Sequence, residues 1–80
     1  MNIHLLFFGI TTDVVGTNSS TYQLKDQATI EELKEVLVAD FPGLKSIRKF
    51  AIAVNETYAE DSLVLSEGDI VAIIPPVSGG

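Results

Sequence analysis

Apolar residues first alternate and then crowd together at the start of the chain. Over residues 3–8, Ile3, Leu5 and Phe7 fall on one side of an extended segment by its two-residue period. The other side carries His4, then Leu6 and Phe8, so one end of that face is apolar, as core or as a patch for a partner. Residues 9–20 are rich in Gly, Thr, Asp, Asn and Ser and read as a hairpin connection. Residues 21–24 follow as a second, short strand with Tyr22 and Leu24 facing inward. The period then lengthens to that of a helix. Ile30, Leu33, Leu37 and Phe41, with Val36 beside them, form its apolar stripe, while Lys34, Glu35 and Asp40 take the wet side. Thr29, with Glu32 three residues on, makes a capping box; Glu31 and Glu32 also lie in the first turn, where the helix dipole favours anions. Phe41-Pro42-Gly43 ends the helix, because proline cannot continue it.

Residues 50–54 are apolar throughout, which predicts a strand buried on both faces. Residues 55–61 read as a polar connection interrupted by Tyr58, and 63–65 as a short extended segment. Ser66-Glu67-Gly68-Asp69 is a turn in which Gly68 can take positive φ. Residues 70–74 form the last strand and run directly into Pro75-Pro76-Val77-Ser78-Gly79-Gly80. The order strand, strand, helix, strand, short strand, strand is an α+β plan, a hairpin and a helix packed on one sheet. The three most apolar strands (3–8, 50–54 and 70–74) belong at its centre. That arrangement is a ubiquitin-like β-grasp, with a mixed sheet of about five strands on one main helix. Residues 1–74 make the domain, and 75–80 a flexible tail.

Composition narrows the chemistry. Eighty residues allow one small domain, and with 46% apolar residues and no cysteine its core rests on packing alone, without disulfides or thiolate metal sites. The start of the chain lacks the basic flank and apolar run of a signal peptide, and no run approaches the ~20 residues of a membrane span. A cytoplasmic protein with no membrane partner is expected. Five Lys and Arg against eleven Asp and Glu give a formal charge of −6, which excludes the basic footprint that nucleic acid requires. Lys45, Arg48 and Lys49 form the single basic cluster and read as a solvated loop. His4 is the only histidine: Ser, His and Asp are present but no pattern gathers them into a triad, and a metal site at His4 lacks a second His or any Cys. The acidic residues around Gly68 lack the alternating ligands of a calcium loop, and Gly9 and Gly16 lack the lysine of a phosphate cradle.

What remains is the tail. Pro75 and Pro76 have no N–H and favour a stiff, extended exit from the sheet. Gly79 and Gly80 have no Cβ and can enter a slot too narrow for other residues. From Pro75 the arm reaches roughly 20 Å at about 3.3 Å per residue. A carboxylate is a poor acyl donor at neutral pH, so the Gly80 carboxylate on such an arm points to activation by a partner enzyme.

Four stretches carry a resemblance: Leu5-Leu6-Phe7-Phe8-Gly9, Ala28-Thr29-Ile30-Glu31-Glu32-Leu33, Ala53-Val54-Asn55-Glu56, and residues 68–80 ending in Pro-Pro-Val-Ser-Gly-Gly. Together they resemble the small subunits of molybdopterin synthase along the whole chain. The resemblance implies a non-catalytic sulfur carrier of a heterotetrameric synthase, with no bound cofactor. An activating enzyme uses ATP to adenylylate the Gly80 carboxylate, and a sulfur donor converts it to a thiocarboxylate. The large subunit receives Pro75, Pro76, Val77, Ser78 and Gly79 in its active site, where sulfur passes to cyclic pyranopterin monophosphate. Partner-binding apolar positions fall on Phe8, Tyr58 and Ile74, and the broken alternation of the first strand adds Leu6 beside Phe8. Where the family often has an aliphatic residue this chain has Tyr58, where it often has an aromatic it has Ile74, and where it carries an arginine after the first strand this chain has Ile10-Thr11-Thr12. The alternatives are a thiamine-pathway sulfur carrier, a ubiquitin-like modifier conjugated through Gly80, and an interaction domain whose glycines are inert.

Overall fold

In the computed structural model, which describes residues 1–46 and 50–76, β1 (Asn2–Phe7) pairs antiparallel with β2 (Ser19–Gln23) and parallel with β5 (Ile70–Ile74). On its other side β5 pairs antiparallel with β3 (Ala51–Val54), which pairs antiparallel with the two-residue β4 (Thr57–Tyr58). The sheet order is β2-β1-β5-β3-β4, so the three most apolar strands are central, as expected. A strand flanked on both sides exposes no ladder edge and can be apolar along its length. With helix α2 (Ile30–Asp40) the sheet makes a ubiquitin-like β-grasp. Among the described residues no helix is long and apolar enough to cross a membrane.

One buried cluster holds the fold. Ile3, Leu5 and Phe7 from β1, Ile52 and Val54 from β3, and Val71 and Ile73 from β5 join Ile30, Leu33 and Leu37 of α2. The capping box forms as expected: Glu32 N donates to Thr29 Oγ1 and Thr29 N donates to Glu32 Oε1, each at 3.3 Å. Lys25 pairs with the other oxygen of Glu32. That ion pair first, and then the backbone bond from Thr29, hold the Glu32 carboxyl below its usual range. Tyr22 packs half-buried against the core and donates from its hydroxyl to Asp40 Oδ2 at 2.6 Å. Burial, reinforced by that carboxylate, pushes its phenol up.

Several expectations need correcting. Residues 9–20 are not a plain connection: a helix, α1 (Ile10–Val15), lies inside them, and β2 starts at Ser19. Polar residues conceal it in the sequence, because Thr11 is fully buried by hydrogen bonding while Asp13 faces water. Gly16 (φ 87) closes α1 in the left-handed region, its N–H donating to Thr12 O at 2.8 Å. Proline ends α2 but opens a 3₁₀ turn, Pro42–Ser46, that drives Leu44 fully into the core. Phe41 faces the core as expected but from the helix C-cap: it is half-buried, packs against the core cluster, and its ring meets Phe7 edge-on with centroids 6.5 Å apart. Val36 lies at the edge of the stripe and is 36% exposed, since each step along a helix rotates the side chain by about 100°. Lys34 leaves the fully wet side and pairs with Asp61 at 2.7 Å. The connection after β3 contains β4, and 63–65 contributes a single bridge, Val64 to Thr29, instead of a strand. Lys45 is exposed, whereas Arg48 and Lys49 lie outside the described residues.

Candidate functional site

Register decides what the outer face of the sheet carries. Side chains alternate along each strand, so residues paired across strands share a face. Leu6 pairs with Ser19 and Ala72, Ala72 with Ala53, and Ala53 with Tyr58. Because Ile52, Val54, Val71 and Ile73 face the core, this row of Leu6, Ala72, Ala53 and Tyr58 faces away from it. Ile74 pairs with Ala51 in the next row, and Phe8 follows Leu6 at the end of β1. The structure therefore brings Leu6, Phe8, Tyr58 and Ile74 onto one face. Phe8 is 48% and Tyr58 72% exposed, whereas Leu6 and Ile74 are half-buried.

An open groove on this face is lined by Leu6, Phe8, Asn55, Glu56, Ile70 and Ala72. Tyr58 sits apart from it, lining a second groove at the β4 edge with Leu63 and Val64. Ile70, 49% exposed, belongs to the site and was missed in the sequence. Its alternation with Ala72 and Ile74 was the available signal, hidden because residues 70–74 are apolar on both faces. Ile10, on α1, is also exposed.

The root of the tail is fastened beside this face. Gly9 leaves β1 at φ 55, and a Cβ there would come within 3.0 Å of Pro75 Cγ, so both its conformation and its closeness to the tail favour glycine. Thr11, fully buried, ties the ends of β1 and β5 together. Its Oγ1 accepts from Phe8 N at 3.0 Å and donates to Phe8 O, with Ile73 O a further 3.4 Å acceptor. Phe8 N also donates to Ile73 O at 3.2 Å, and Thr12 Oγ1 donates to Phe7 O at 3.0 Å. Thus Ile10-Thr11-Thr12 acts through its hydroxyls to fix the exposed Phe8 and the exit of β5. Pro75 is half-buried and Pro76 exposed; Val77, Ser78, Gly79 and Gly80 lie outside the described residues. Among the described residues no three His, Cys, Asp or Glu gather as metal ligands. The face can dock an apolar partner, and what it positions is the start of the tail.

The sequence profile of the ThiS family matches residues 5–80. The molybdopterin synthase sulfur carrier subunit of Chlamydomonas reinhardtii is 41% identical over 83 residues, with 100% of each chain covered. In structure the chain is similar to SAMP1 from Haloferax volcanii, at a TM-score of 0.87 and 24% identity over 100% of both chains. It is also similar, at a TM-score of 0.71 and 27% identity over 100% of both chains, to a chain from the protein-protein complex of subunits 1 and 2 of the molybdopterin-converting factor of Helicobacter pylori 26695.

Proposed function

The chain belongs to the ThiS family, and on that premise we propose that it is the sulfur carrier subunit of molybdopterin synthase. The observation that carries this reading is the full-length similarity to a molybdopterin synthase sulfur carrier subunit. The exposed apolar face leading through Ile74 and Pro75 into the Gly-Gly tail supports it. In this reading the Gly80 carboxylate attacks the α-phosphorus of ATP in an activating enzyme, and pyrophosphate leaves. The resulting mixed anhydride has a good leaving group: hydrosulfide released by a donor attacks the acyl carbon, the bond to AMP breaks, and loss of the remaining proton gives a thiocarboxylate. That group is a soft anion at neutral pH. The molybdopterin synthase large subunit covers Leu6, Phe8 and Ile74 and takes Pro75, Pro76, Val77, Ser78, Gly79 and Gly80 into its active site. There the sulfur forms a C–S bond to cyclic pyranopterin monophosphate as a C–O bond of that substrate breaks, and water then cleaves the acyl–sulfur bond and returns the Gly80 carboxylate. The carrier supplies reach and a nucleophile, and the catalytic groups belong to the large subunit.

Ordering the tail removes backbone entropy of roughly 1–2 kcal/mol per residue, which contacts in the channel must offset. Removing Gly80 therefore leaves the thermal melt unchanged and abolishes sulfur loading, read by mass spectrometry as loss of the oxygen-to-sulfur shift at the terminus. A des-Gly80 chain that still accepts sulfur overturns the assignment. Isopeptide-linked adducts in place of the thiocarboxylate would favour a protein modifier.

A further inference from the structure

We infer that Glu56 is the ion-pairing anchor of the outer face, and that the partner segment docking in its groove presents an apolar side chain flanked by an arginine or lysine. The inference rests on reading that face as the large-subunit interface. Val54 pairs with Thr57, so the β3–β4 hairpin closes through two residues, Asn55 and Glu56. Both have positive φ, 48 and 72, the pattern of a type I′ turn. Asn55 suits its position. It tolerates the left-handed region, Ile70 N donates to its Oδ1 at 3.0 Å, and its Nδ2 donates to Asp69 Oδ1 at 3.0 Å. Glu56 does not suit its own. Glycine is the favoured residue at the second position of this turn, and a Cβ in the left-handed region is sterically disfavoured.

Nothing among the described residues compensates that choice. The Glu56 carboxylate makes no hydrogen bond or ion pair with them, and Lys25 and Lys34 are engaged with Glu32 and Asp61. Yet Glu56 lines the groove formed by Leu6, Phe8, Ile70 and Ala72. No described Lys or Arg lines that groove, and the chain carries a formal charge of −6. In the free protein the exposed carboxylate is hydrated. A purely apolar segment laid over the groove would strip that water and leave the charge unpaired, which is unfavourable. A segment that brings a cation keeps the apolar contact and pairs the charge, and the planar guanidinium of arginine suits a carboxylate best.

The test is a calorimetric titration of the full chain with the molybdopterin synthase large subunit from the same genome, at low and at moderate salt. Glu56→Gln is expected to bind roughly two- to fivefold more weakly at low salt and to flatten the salt dependence. Glu56→Gly is expected to raise the melting temperature while losing the same affinity. A merely structural turn residue would not move those two readouts in opposite directions. Equal affinity and equal salt dependence for the parent and Glu56→Gln overturn the inference. Phe8→Ala, titrated alongside, separates the two levels: weakening by Phe8→Ala alone rejects the role of Glu56, and weakening by neither rejects the face as well.

Discussion

On β5, Val71 and Ile73 are fully buried, whereas Ile70, next in sequence to Val71, is 49% exposed. On β1, Leu5 and Phe7 are buried, and Phe8, just past its end, is 48% exposed. The residues are chemically alike, so hydrophobicity does not separate the two faces of the sheet. Cover does. The inner face packs with α2 and with Leu44 from the 3₁₀ turn, while among the described residues no helix packs on the outer face. Burial of apolar surface is worth about 25 cal/mol per Å² wherever it happens. The inner face realises it on folding; in the proposed function the outer face retains it for association. Inner residues should therefore control stability, and outer residues affinity.

The widest separation should come from truncating one residue on each side. Leu33→Ala is expected to destabilise the domain by about 2–5 kcal/mol through lost contacts and a residual cavity. Phe8→Ala should leave the urea midpoint nearly unchanged and weaken the complex with the large subunit roughly tenfold or more, the loss of about 1.5–3 kcal/mol of burial. If Phe8→Ala lowered the midpoint as far as Leu33→Ala, the two faces would not be distinct.

A smaller effect lies where the faces meet. Thr11→Val keeps the shape of a buried side chain and deletes the hydroxyl that fixes Phe8. About 1–3 kcal/mol of stability should go with it, accompanied by amide shifts at Phe8 and Ile74 in NMR spectra. Thr11→Ser should restore most of the stability, and failure to do so would assign the loss to packing.

The smallest effect concerns how α2 is fastened. The folded Glu32 carboxyl titrates below its unfolded value of about 4.3. Its stabilisation is therefore complete above that value and is lost as the pH falls through the lower, folded one. Glu32→Gln should flatten the acid side of the stability profile measured by urea unfolding; parallel acid profiles would remove Glu32 from the account. On the alkaline side the sign reverses. The folded Tyr22 phenol titrates above about 10, so its contribution is complete below that pH and lost above it.

Short-range pattern made the strands 3–8, 50–54 and 70–74, the capped helix after Thr29 and the turn at Gly68 legible, because each depends on neighbours a few residues away. The outward apolar positions Leu6 and Phe8 were legible for a related reason: a broken alternation is visible without knowing what lies opposite. Ile70 was not, since a central strand apolar on both sides does not announce which side is covered. Tyr58 was read through resemblance, and its place depends on a hairpin whose turn uses Asn55 and Glu56 in a conformation for which glycine is the expected signal.

The sequence by itself determined that 3–8, 50–54 and 70–74 would be extended, where the main helix starts, and that the thin Pro-Pro-Val-Ser-Gly-Gly arm would follow the last strand. Tertiary structure alone decided that Thr11 would be buried in α1, that Leu44 would swing into the core behind Pro42, and that Gly9 would sit against Pro75. Each of these depends on the parallel pairing of β1 with β5 or on packing against the sheet. Local propensity has no term for a contact between residues more than sixty positions apart, so a polar stretch such as 9–20 looks like a loop until the strand that satisfies it arrives.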